Sequence, residues 1–334
     1  MRYRKLGRTD IEVSVICQGC WSLTPSDWTW GGNARADSIA AVRASLDAGV
    51  NFFDTAEGYG GGESERVLGE ALGQRRKDVV IASKVSSNHL APGDLKAACE
   101  GSLNRLGKDY IDLYQIHWPS RTAPLADTLG AMEDLKGAGK VRAVGVSNFG
   151  HGFFQELLAA GRAESNQLAY SLLWRVIERE VQPLCVDNEM SILCYSPLCA
   201  SLLTGKFATA DDVPETRART RHFSSSRQHV RHGEDGFEAE TFQAIGEIRR
   251  ICNEAGLEMA AVALAWCLSR PGVAAVLSGA RNADQAQRNA QAAELELSAD
   301  VIAALDAATE AVRRCAGASG DMWAAESRMD RRDD

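Results

Sequence analysis

Four side chains of this sequence could together manage a proton at a reacting carbonyl group. Asp54, Lys84 and His117 each close or directly follow a short apolar run, and Tyr59 comes soon after Asp54. A phenol has an ordinary pKa of about 10 and keeps its proton at neutral pH, but a neighbouring ammonium should lower that pKa. With Asp54 holding Lys84 and His117 orienting the carbonyl, the set predicts stabilisation of an alkoxide formed by hydride addition.

None of these groups supplies a hydride, so the sequence implies a nicotinamide cofactor. Polar residues at the ends of later apolar runs are suited to holding it. Ser147, Asn148 and Gln167 can form hydrogen bonds with a carboxamide, and Tyr195 offers a flat face for the ring.

A phosphate site is predicted after the last apolar run. Ser278, Gly279 and Arg281 form a short loop there, and Gln285 and Asn289 follow in a helical pattern. A small loop at a helix N-terminus beside an arginine is a natural phosphate site. We therefore expect these residues to hold the phosphate end of the cofactor.

Eight short apolar runs alternate with helix-like segments, and they must bring these side chains together. The runs cover residues 15–18, 50–54, 79–84, 111–116, 141–146, 165–167, 191–195 and 274–277. Helical patterns cover about 37–48, 63–74, 94–106, 125–137, 151–160, 178–187, 240–255 and 259–269. Strands that are apolar on both faces are typical of a parallel sheet covered by helices.

The repeat predicts an α/β fold, a (β/α)8 TIM barrel with an N-terminal β-hairpin over about 2–15. The carboxyl ends of barrel strands converge on one mouth, which would unite the four chemical groups. A doubly wound open sheet is the alternative. It is disfavoured because the glycines of 58–62 follow the second run and do not fit the G-x-G-x-x-G spacing.

Composition bounds the remaining possibilities. The chain has 334 residues, 45% of them hydrophobic and 25% charged, with a net charge of −8. We expect a single barrel domain over 1–334, with a long loop near 204–236 and a C-terminal tail from about 313, loose at its end. The charge argues against a nucleic-acid partner, and we find neither a membrane span nor a secretory segment. Nine scattered cysteines favour reduced thiols and a cytoplasmic protein.

Two other readings stay open at this stage. Cys17 and Cys20 have C-x-x-C spacing, which could mark a redox pair or half of a zinc site, but no second such pair follows in the sequence, so chance packing is favoured. A metal-dependent lyase or hydrolase on the same barrel is disfavoured because the sequence lacks a ligand cluster. Several tryptophans fall in predicted loops at the mouth, where they would form either a substrate pocket or rim packing. These are Trp21, Trp28, Trp30, Trp118 and Trp323.

Five blocks of the sequence resemble the aldo-keto reductase superfamily, in order and over about residues 1–310. The blocks are Asp54–Gly60 with Ser64-Glu65, Ile81–Lys84, Tyr114–Pro119, Gly145–Phe149 and Tyr195–Leu198, with Gly279–Asn282, Gln285 and Asn289 completing the match. Residues 28–32 are similar to the bacterial general-stress and inositol-dehydrogenase-like branch. The resemblance implies a (β/α)8 barrel and an NAD(P)H-dependent carbonyl reductase or alcohol dehydrogenase acting on a small molecule.

The resemblance also implies residue roles. Tyr59 would be the general acid/base, with Asp54, Lys84 and His117 as partners. Further cofactor contacts would come from Trp21, Asp54, Ser147, Asn148, Gln167, Tyr195, Ser196, Pro197, Leu198, Leu203, Lys206, Arg217, Ser278, Gly279, Arg281, Gln285 and Asn289. The segment 196–206 would cover the pyrophosphate, and its residues 199–201 depart from the more usual glycine-rich form.

Arg281 favours NADPH over NADH, because a guanidinium can bind a phosphate through two hydrogen bonds. A second function in a different class is a cofactor-binding regulatory protein with slow turnover, similar to the potassium-channel β subunits. The four chemical groups are all present, which argues against an inactive version of such a protein but not against a slow one.

Overall fold

The computed structural model describes residues 1–24, 31–324 and 328–329. In chain order its strands are β1 (Tyr3–Lys5), β2 (Glu12–Ser14), β3 (Ile16–Gly19), β4 (Phe52–Asp54), β5 (Val80–Val85), β6 (Ile111–Ile116), β7 (Val141–Ser147), β8 (Ser165–Ala169), β9 (Ser191–Tyr195) and β10 (Val273–Gly279). Its α-helices are α1 (Arg35–Asp47), α2 (Glu63–Leu72), α3 (Pro92–Leu106), α4 (Leu125–Gly137), α5 (His151–Ala160), α6 (Val181–Asp187), α7 (Glu238–Ala255), α8 (Met259–Leu268), α9 (Ala283–Gln291), α10 (Ala299–Ala308) and α11 (Glu310–Cys315).

Strands β3 to β10 form a closed parallel barrel in which β10 pairs with both β9 and β3. This confirms the predicted (β/α)8 TIM barrel. The apolar runs of the sequence are its strands, and β8 extends two residues beyond the predicted run. Helix α6 begins later than predicted, after a separate 3-10 turn at Val176–Glu178. Its Pro183 is accommodated because the first helical turn needs no backbone N–H partner there.

The N-terminal hairpin closes one end of the barrel. Strands β1 and β2 pair antiparallel, as predicted. Leu6, Ile11 and Val13 of the hairpin are at most 5% exposed and pack with Phe52 and Leu113 inside the barrel. The opposite end, where the strands finish, is the end that bears the cleft described below.

The long loop and the C-terminal segment are packed against each other and against the barrel. The backbone N–H of Arg221 donates to the carbonyl of Met322 at 2.9 Å, and Gly150 N–H donates to the carbonyl of Met329 at 3.1 Å. Met322 and Met329 are each 1% exposed. Within the described part of the predicted tail, residues 313–324 and 328–329, Met322 and Met329 are thus buried in the main hydrophobic core. Residues 330–334 lie outside the described part of the chain.

Among the residues that the structure describes, no single helix is long and apolar enough to cross a bilayer. The pair α7 and α8, bent by 97° at their junction, passes the same test when the two are taken together.

The long loop is anchored by a buried histidine whose protonation should destabilise the fold. His222 is 0% exposed, and its ring nitrogens lie 2.9 Å from the Leu173 carbonyl and 2.9 Å from Thr220 Oγ1. Burial, against the hydrogen bond to Leu173, lowers the pKa of His222 to about 4 from its ordinary 6.5. Between pH 6.5 and pH 4, His222 is therefore protonated in the unfolded chain but neutral in the folded chain. The free energy of unfolding thus decreases as the pH falls from 6.5 toward 4.

We expect the free energy of unfolding to fall by about 2 kcal/mol from this histidine between pH 7 and pH 5. Urea denaturation of wild type and His222→Gln at both pH values measures it. The variant should lose less stability on acidification, whatever its stability at pH 7. His151→Gln, at the partly exposed start of α5, is the matched control and should lose as much as wild type. Equal acid sensitivity of His222→Gln and wild type would contradict the assignment.

Candidate active site

A cleft of about 820 Å³ runs across the carboxyl-terminal mouth of the barrel. It is lined by all the residues predicted for catalysis or cofactor binding except two. Lys84 lies beneath its floor, and Leu203 is 0% exposed and packed in the main hydrophobic core. Because Leu203 faces the core rather than the cleft, we leave it out of the proposed site.

Lys84 is completely buried and uses its whole hydrogen-bonding capacity. Its ammonium donates to Asp54 Oδ1 at 2.5 Å, to the Thr55 carbonyl at 2.9 Å and to Tyr59 Oη at 3.2 Å. An ammonium has three donors and no acceptor. Tyr59 must therefore accept from Lys84, and its own O–H proton is left for a partner on the cleft side.

Burial and charge act in opposite directions on Tyr59. Burial raises the pKa of the phenol, Lys84 lowers it and Asp54 raises it, and the net result lies above the ordinary value of 10. Lys84 thus lowers the pKa of the phenol as predicted, but burial outweighs this effect, so the net pKa is not lowered. Burial also lowers the pKa of Lys84, but Asp54 and Tyr59 more than offset this, so the ammonium stays charged.

Asp54 receives donors from three other strands, β5, β6 and β8. Its Oδ1 accepts from Lys84, and its Oδ2 accepts from Gln167 Nε2 at 2.8 Å and from Gln115 Nε2 at 3.2 Å. Sequence analysis missed Gln115, which lies in mid-strand. Gly145 makes room for it, since a Cβ there would come within 2.9 Å of Gln115 Cγ. A carboxylate can only accept, so the amide of Gln167 is oriented with Oε1 left for a ligand.

His117 stands edge-on to Tyr59, with ring centroids 5.6 Å apart and an interplanar angle of 76°. Burial, together with the positive charges of Lys84 and Arg328, lowers the pKa of His117 to about 3. The imidazole is therefore neutral at physiological pH. A neutral imidazole carries one N–H donor, which suits it to orient a carbonyl oxygen beside Tyr59.

Asn148 ties three strand ends together beside the cleft. Its Nδ2 donates to the His117 carbonyl at 3.0 Å, and its Oδ1 accepts from Tyr195 Oη at 2.8 Å. The residue has a left-handed φ of 62°, a conformation that asparagine tolerates better than most residues. Ser147 Oγ donates to the Gln167 carbonyl at 2.9 Å. Asn148 thus fixes the ring of Tyr195, the predicted platform for the nicotinamide.

The far end of the cleft fits a phosphate-bearing ligand. Gly19 and Gly279 face each other in register on β3 and β10, and both line the cleft. Ser22 Oγ, Ser278 Oγ and Arg281 Nε are buried there with no hydrogen-bond partner among the described residues. Donors buried without an acceptor are costly, and the oxygens of a phosphate would satisfy them. The glycines leave the backbone open for close approach.

Arg281 is held at the start of α9 by its neighbours. Its backbone N–H donates to Gln285 Oε1 at 3.0 Å, and its Nη2 donates to the Gly32 carbonyl at 2.7 Å. Asn289 Nδ2 donates to the Gly279 carbonyl at 3.1 Å. Arg217 lies in the same region. Burial lowers the pKa of its guanidinium, and the nearby positive charge of Arg281 lowers it further. Two guanidinium groups therefore stand together at this end.

The loop after β9 is strained where the family pattern has glycines. Ser196, Cys199, Ala200 and Ser201 have φ values of 52°, 45°, 51° and 76°. A non-glycine residue in this region costs on the order of 1 kcal/mol, and such strain clusters at ligand-binding loops. Ser196, Pro197, Leu198 and Lys206 line the cleft as predicted. Residues 199–201 all have left-handed φ values, which glycine adopts without strain, and this explains why glycine is usual at these positions.

The aromatic residues of the mouth fall into two groups. Trp21, Trp118 and Trp323 line the cleft, in agreement with a pocket, and Trp21 stacks on Tyr59 with centroids 6.1 Å apart. Trp28 and Trp30 lie outside the described residues. Sequence analysis missed Arg219 and Arg328, which also line the cleft. They belong to the long loop and the C-terminal segment, where no periodicity indicates which side chains face inward.

The described residues form neither a reactive cysteine pair nor a cluster of metal ligands. Cys17 and Cys20 are free, buried thiols, and burial raises both of their pKa values. Over residues 1–24, 31–324 and 328–329, no three His, Cys, Asp or Glu side chains are grouped so as to hold a metal ion.

Comparison with known proteins gives relatives over nearly the whole chain. The chain is 33% identical over 300 residues to the aldo-keto reductase YhdN of Bacillus subtilis, which covers 85% of this chain and 86% of that protein. It is 32% identical over 321 residues to the NADH-specific methylglyoxal reductase of Escherichia coli, covering 89% and 95%. It is 30% identical over 313 residues to a probable voltage-gated potassium channel subunit beta of rice, Oryza sativa, covering 88% and 92%.

Solved structures agree with these relatives. An aldo/keto reductase from Klebsiella pneumoniae in complex with NADP and acetate superposes with a TM-score of 0.71 at 31% identity, over 89% of this chain and 91% of that one. The profile of the aldo/keto reductase family matches residues 15–310. On this match, and on the barrel that carries it, the chain belongs to the aldo/keto reductase family.

Proposed function

We propose that this protein is an NADPH-dependent carbonyl reductase, able to run in the alcohol-oxidising direction, with Tyr59 as its general acid/base. The observation that carries the proposal is the hydrogen-bonding of Lys84 to both Asp54 and Tyr59. Because Lys84 donates to the phenol oxygen, the hydroxyl proton of Tyr59 is directed at the cleft, where it can be transferred to a substrate.

Each residue then has a defined task. When bound in the cleft, NADPH would supply the hydride that is added to the carbonyl carbon. Tyr59 gives its proton to the carbonyl oxygen as negative charge develops there, and Lys84 stabilises the phenolate that remains. His117 donates a hydrogen bond that orients the carbonyl oxygen. Asp54 keeps Lys84 in place and charged.

Cofactor binding is proposed on the same geometry. The free Oε1 of Gln167 and the ring of Tyr195 suit the nicotinamide end. The unpartnered Ser22, Ser278 and Arg281 Nε suit the phosphates. NADPH is favoured over NADH because Arg281 and Arg217 stand together where a second phosphate would lie. The NADH-specific relative from Escherichia coli keeps NADH as the less favoured alternative.

A carbonyl panel assayed with NADPH tests the function. Absorbance of the reduced cofactor is followed after addition of aromatic and aliphatic aldehydes to purified protein, and we expect multiple turnovers. Tight NADPH binding without turnover across the panel would contradict the enzyme and favour the second candidate, a regulatory protein. That candidate is supported by the identity to the rice channel subunit.

Arg281→Ala tests the cofactor assignment. We expect the Kd for NADPH to rise about 10- to 100-fold, since a hydrogen-bonded charge pair contributes about 1.5–3 kcal/mol. The Kd for NADH should change much less, because NADH lacks the 2′-phosphate. Quenching of tryptophan fluorescence measures both values. Arg250→Ala, on the exposed face of α7, is the control and should change neither. Equal weakening of both cofactors would refute the phosphate contact.

A further inference from the structure

We infer that the substrates of the proposed reductase are carbonyl compounds bearing a carboxylate, which Arg219 and Arg328 bind at the Tyr59 end of the cleft. This inference rests on the proposed function and adds a substrate class to it.

The cleft is far more basic than the chain as a whole. The chain carries a net charge of −8, yet among the described residues of the cleft wall the basic side chains greatly outnumber the acidic ones, which are Asp54 and Glu258. Asp54 is paired with Lys84. A cleft of one sign in a protein of the other concentrates ligands of opposite charge, here anions. Phosphates of the cofactor account for the basic residues near Arg281, but not for those near Tyr59.

Arg219 stands at the aromatic wall beside the general acid. Its guanidinium carbon lies 5.6 Å from the ring centroid of Trp21 and 5.1 Å from that of Trp323. Trp21 in turn stacks on Tyr59. A guanidinium placed near two indole rings in the wall of the cleft can bind a carboxylate through two hydrogen bonds.

Arg328 also lines the cleft, close enough to His117 for its charge to act on that ring. Its guanidinium carbon lies 3.8 Å from the ring centroid of Trp118, and its charge contributes to the low pKa of His117. Asp321, 0% exposed, accepts from Arg328 Nε at 2.8 Å and Nη2 at 3.1 Å. Asp321 therefore fixes the orientation of the guanidinium. Because that group has five N–H donors, it can still bind a ligand.

Both arginines line the cleft that also holds Tyr59 and His117, the two residues that fix the position of the carbonyl oxygen in the proposed reaction. Their aromatic surroundings favour a planar carboxylate over the more strongly hydrated phosphate dianion. The geometry thus suits a short or aromatic aldehyde or ketone with a carboxylate at its far end.

Matched aldehydes test this class. 4-Carboxybenzaldehyde and its neutral methyl ester, methyl 4-formylbenzoate, have similar shape, and the ester is the more electrophilic aldehyde, so faster reduction of the acid could not come from its carbonyl reactivity. With NADPH saturating, kcat/KM should be at least about tenfold higher for the acid, chiefly through KM, as one charge-assisted contact predicts. The advantage should shrink as salt is added. 4-Formylphenyl phosphate, if preferred tenfold over the carboxylate, would overturn the assignment to carboxylates.

Variants locate the contact. Arg219→Gln and Arg328→Gln should each reduce the acid-to-ester ratio toward one by raising KM for the acid. Arg66→Gln, on the exposed face of α2, is the control and should keep the wild-type ratio. If either cleft variant fails to fold, the other still tests the inference. Equal kcat/KM for acid and ester in the wild type would overturn the substrate class alone, whereas reduction of neither aldehyde would overturn the proposed reductase.

Discussion

Replacing Tyr59 with phenylalanine is expected to lower carbonyl turnover by about 10²- to 10⁴-fold, the range that a positioned general acid contributes. The variant keeps the ring that stacks with Trp21 and stands against His117, and it removes one oxygen. The Kd for NADPH should stay within about threefold of wild type, because the phenol serves proton transfer rather than cofactor binding. Stopped-flow measurement of the first turnover, with fluorescence titration of NADPH, gives both quantities.

Tyr3→Phe is the matched control for this substitution. Tyr3 also donates a hydrogen bond through its hydroxyl, to the Gly49 carbonyl at 2.8 Å, but it lies on the hairpin at the other end of the barrel. Its turnover should equal that of wild type. If Tyr59→Phe retained wild-type turnover, another group would have to supply the proton. If it lost NADPH binding instead, Tyr59 would be a cofactor contact and its assigned role would be wrong.

Replacing Lys84 with methionine should affect stability and turnover together. The substitution leaves the Asp54 carboxylate buried with two amide donors but without its counter-ion. Breaking a buried ion pair by removing one partner costs about 3–5 kcal/mol. Turnover should also fall by orders of magnitude, since no positive charge would stabilise the phenolate form of Tyr59. Urea denaturation followed by circular dichroism measures the first effect, and the NADPH assay measures the second.

Two comparisons make the Lys84 result specific. Lys96→Met removes a lysine whose pair with Asp134, at 2.7 Å, is largely exposed, and an exposed pair contributes about 0–1 kcal/mol. In the double variant Lys84→Met with Asp54→Asn, both charges are gone, so the loss of stability should be smaller than the sum of the single losses. A loss for Lys84→Met no larger than that for Lys96→Met would contradict a buried, paired ammonium.

Much of the barrel could be read from the sequence because its signals are local. Short apolar runs closed by Asp54, Lys84 and His117 depend on residues next to one another, and so do the helical periods between them. Barrel geometry then converts three strand ends, distant along the chain, into one site. The loop after β10 was predictable for the same reason, since small residues followed by a helix start form a local pattern.

The tertiary structure alone decided what depends on burial and on distant partners. The pKa of Tyr59 lies above its ordinary value because the whole mouth excludes water from the phenol, which no spacing in the sequence reveals. Gln115 became a partner of Asp54 only through the glycine opposite it. Arg219 and Arg328 reached the aromatic wall through the packing of a long loop and a terminal segment, whose sequences have no periodicity to show an inward face.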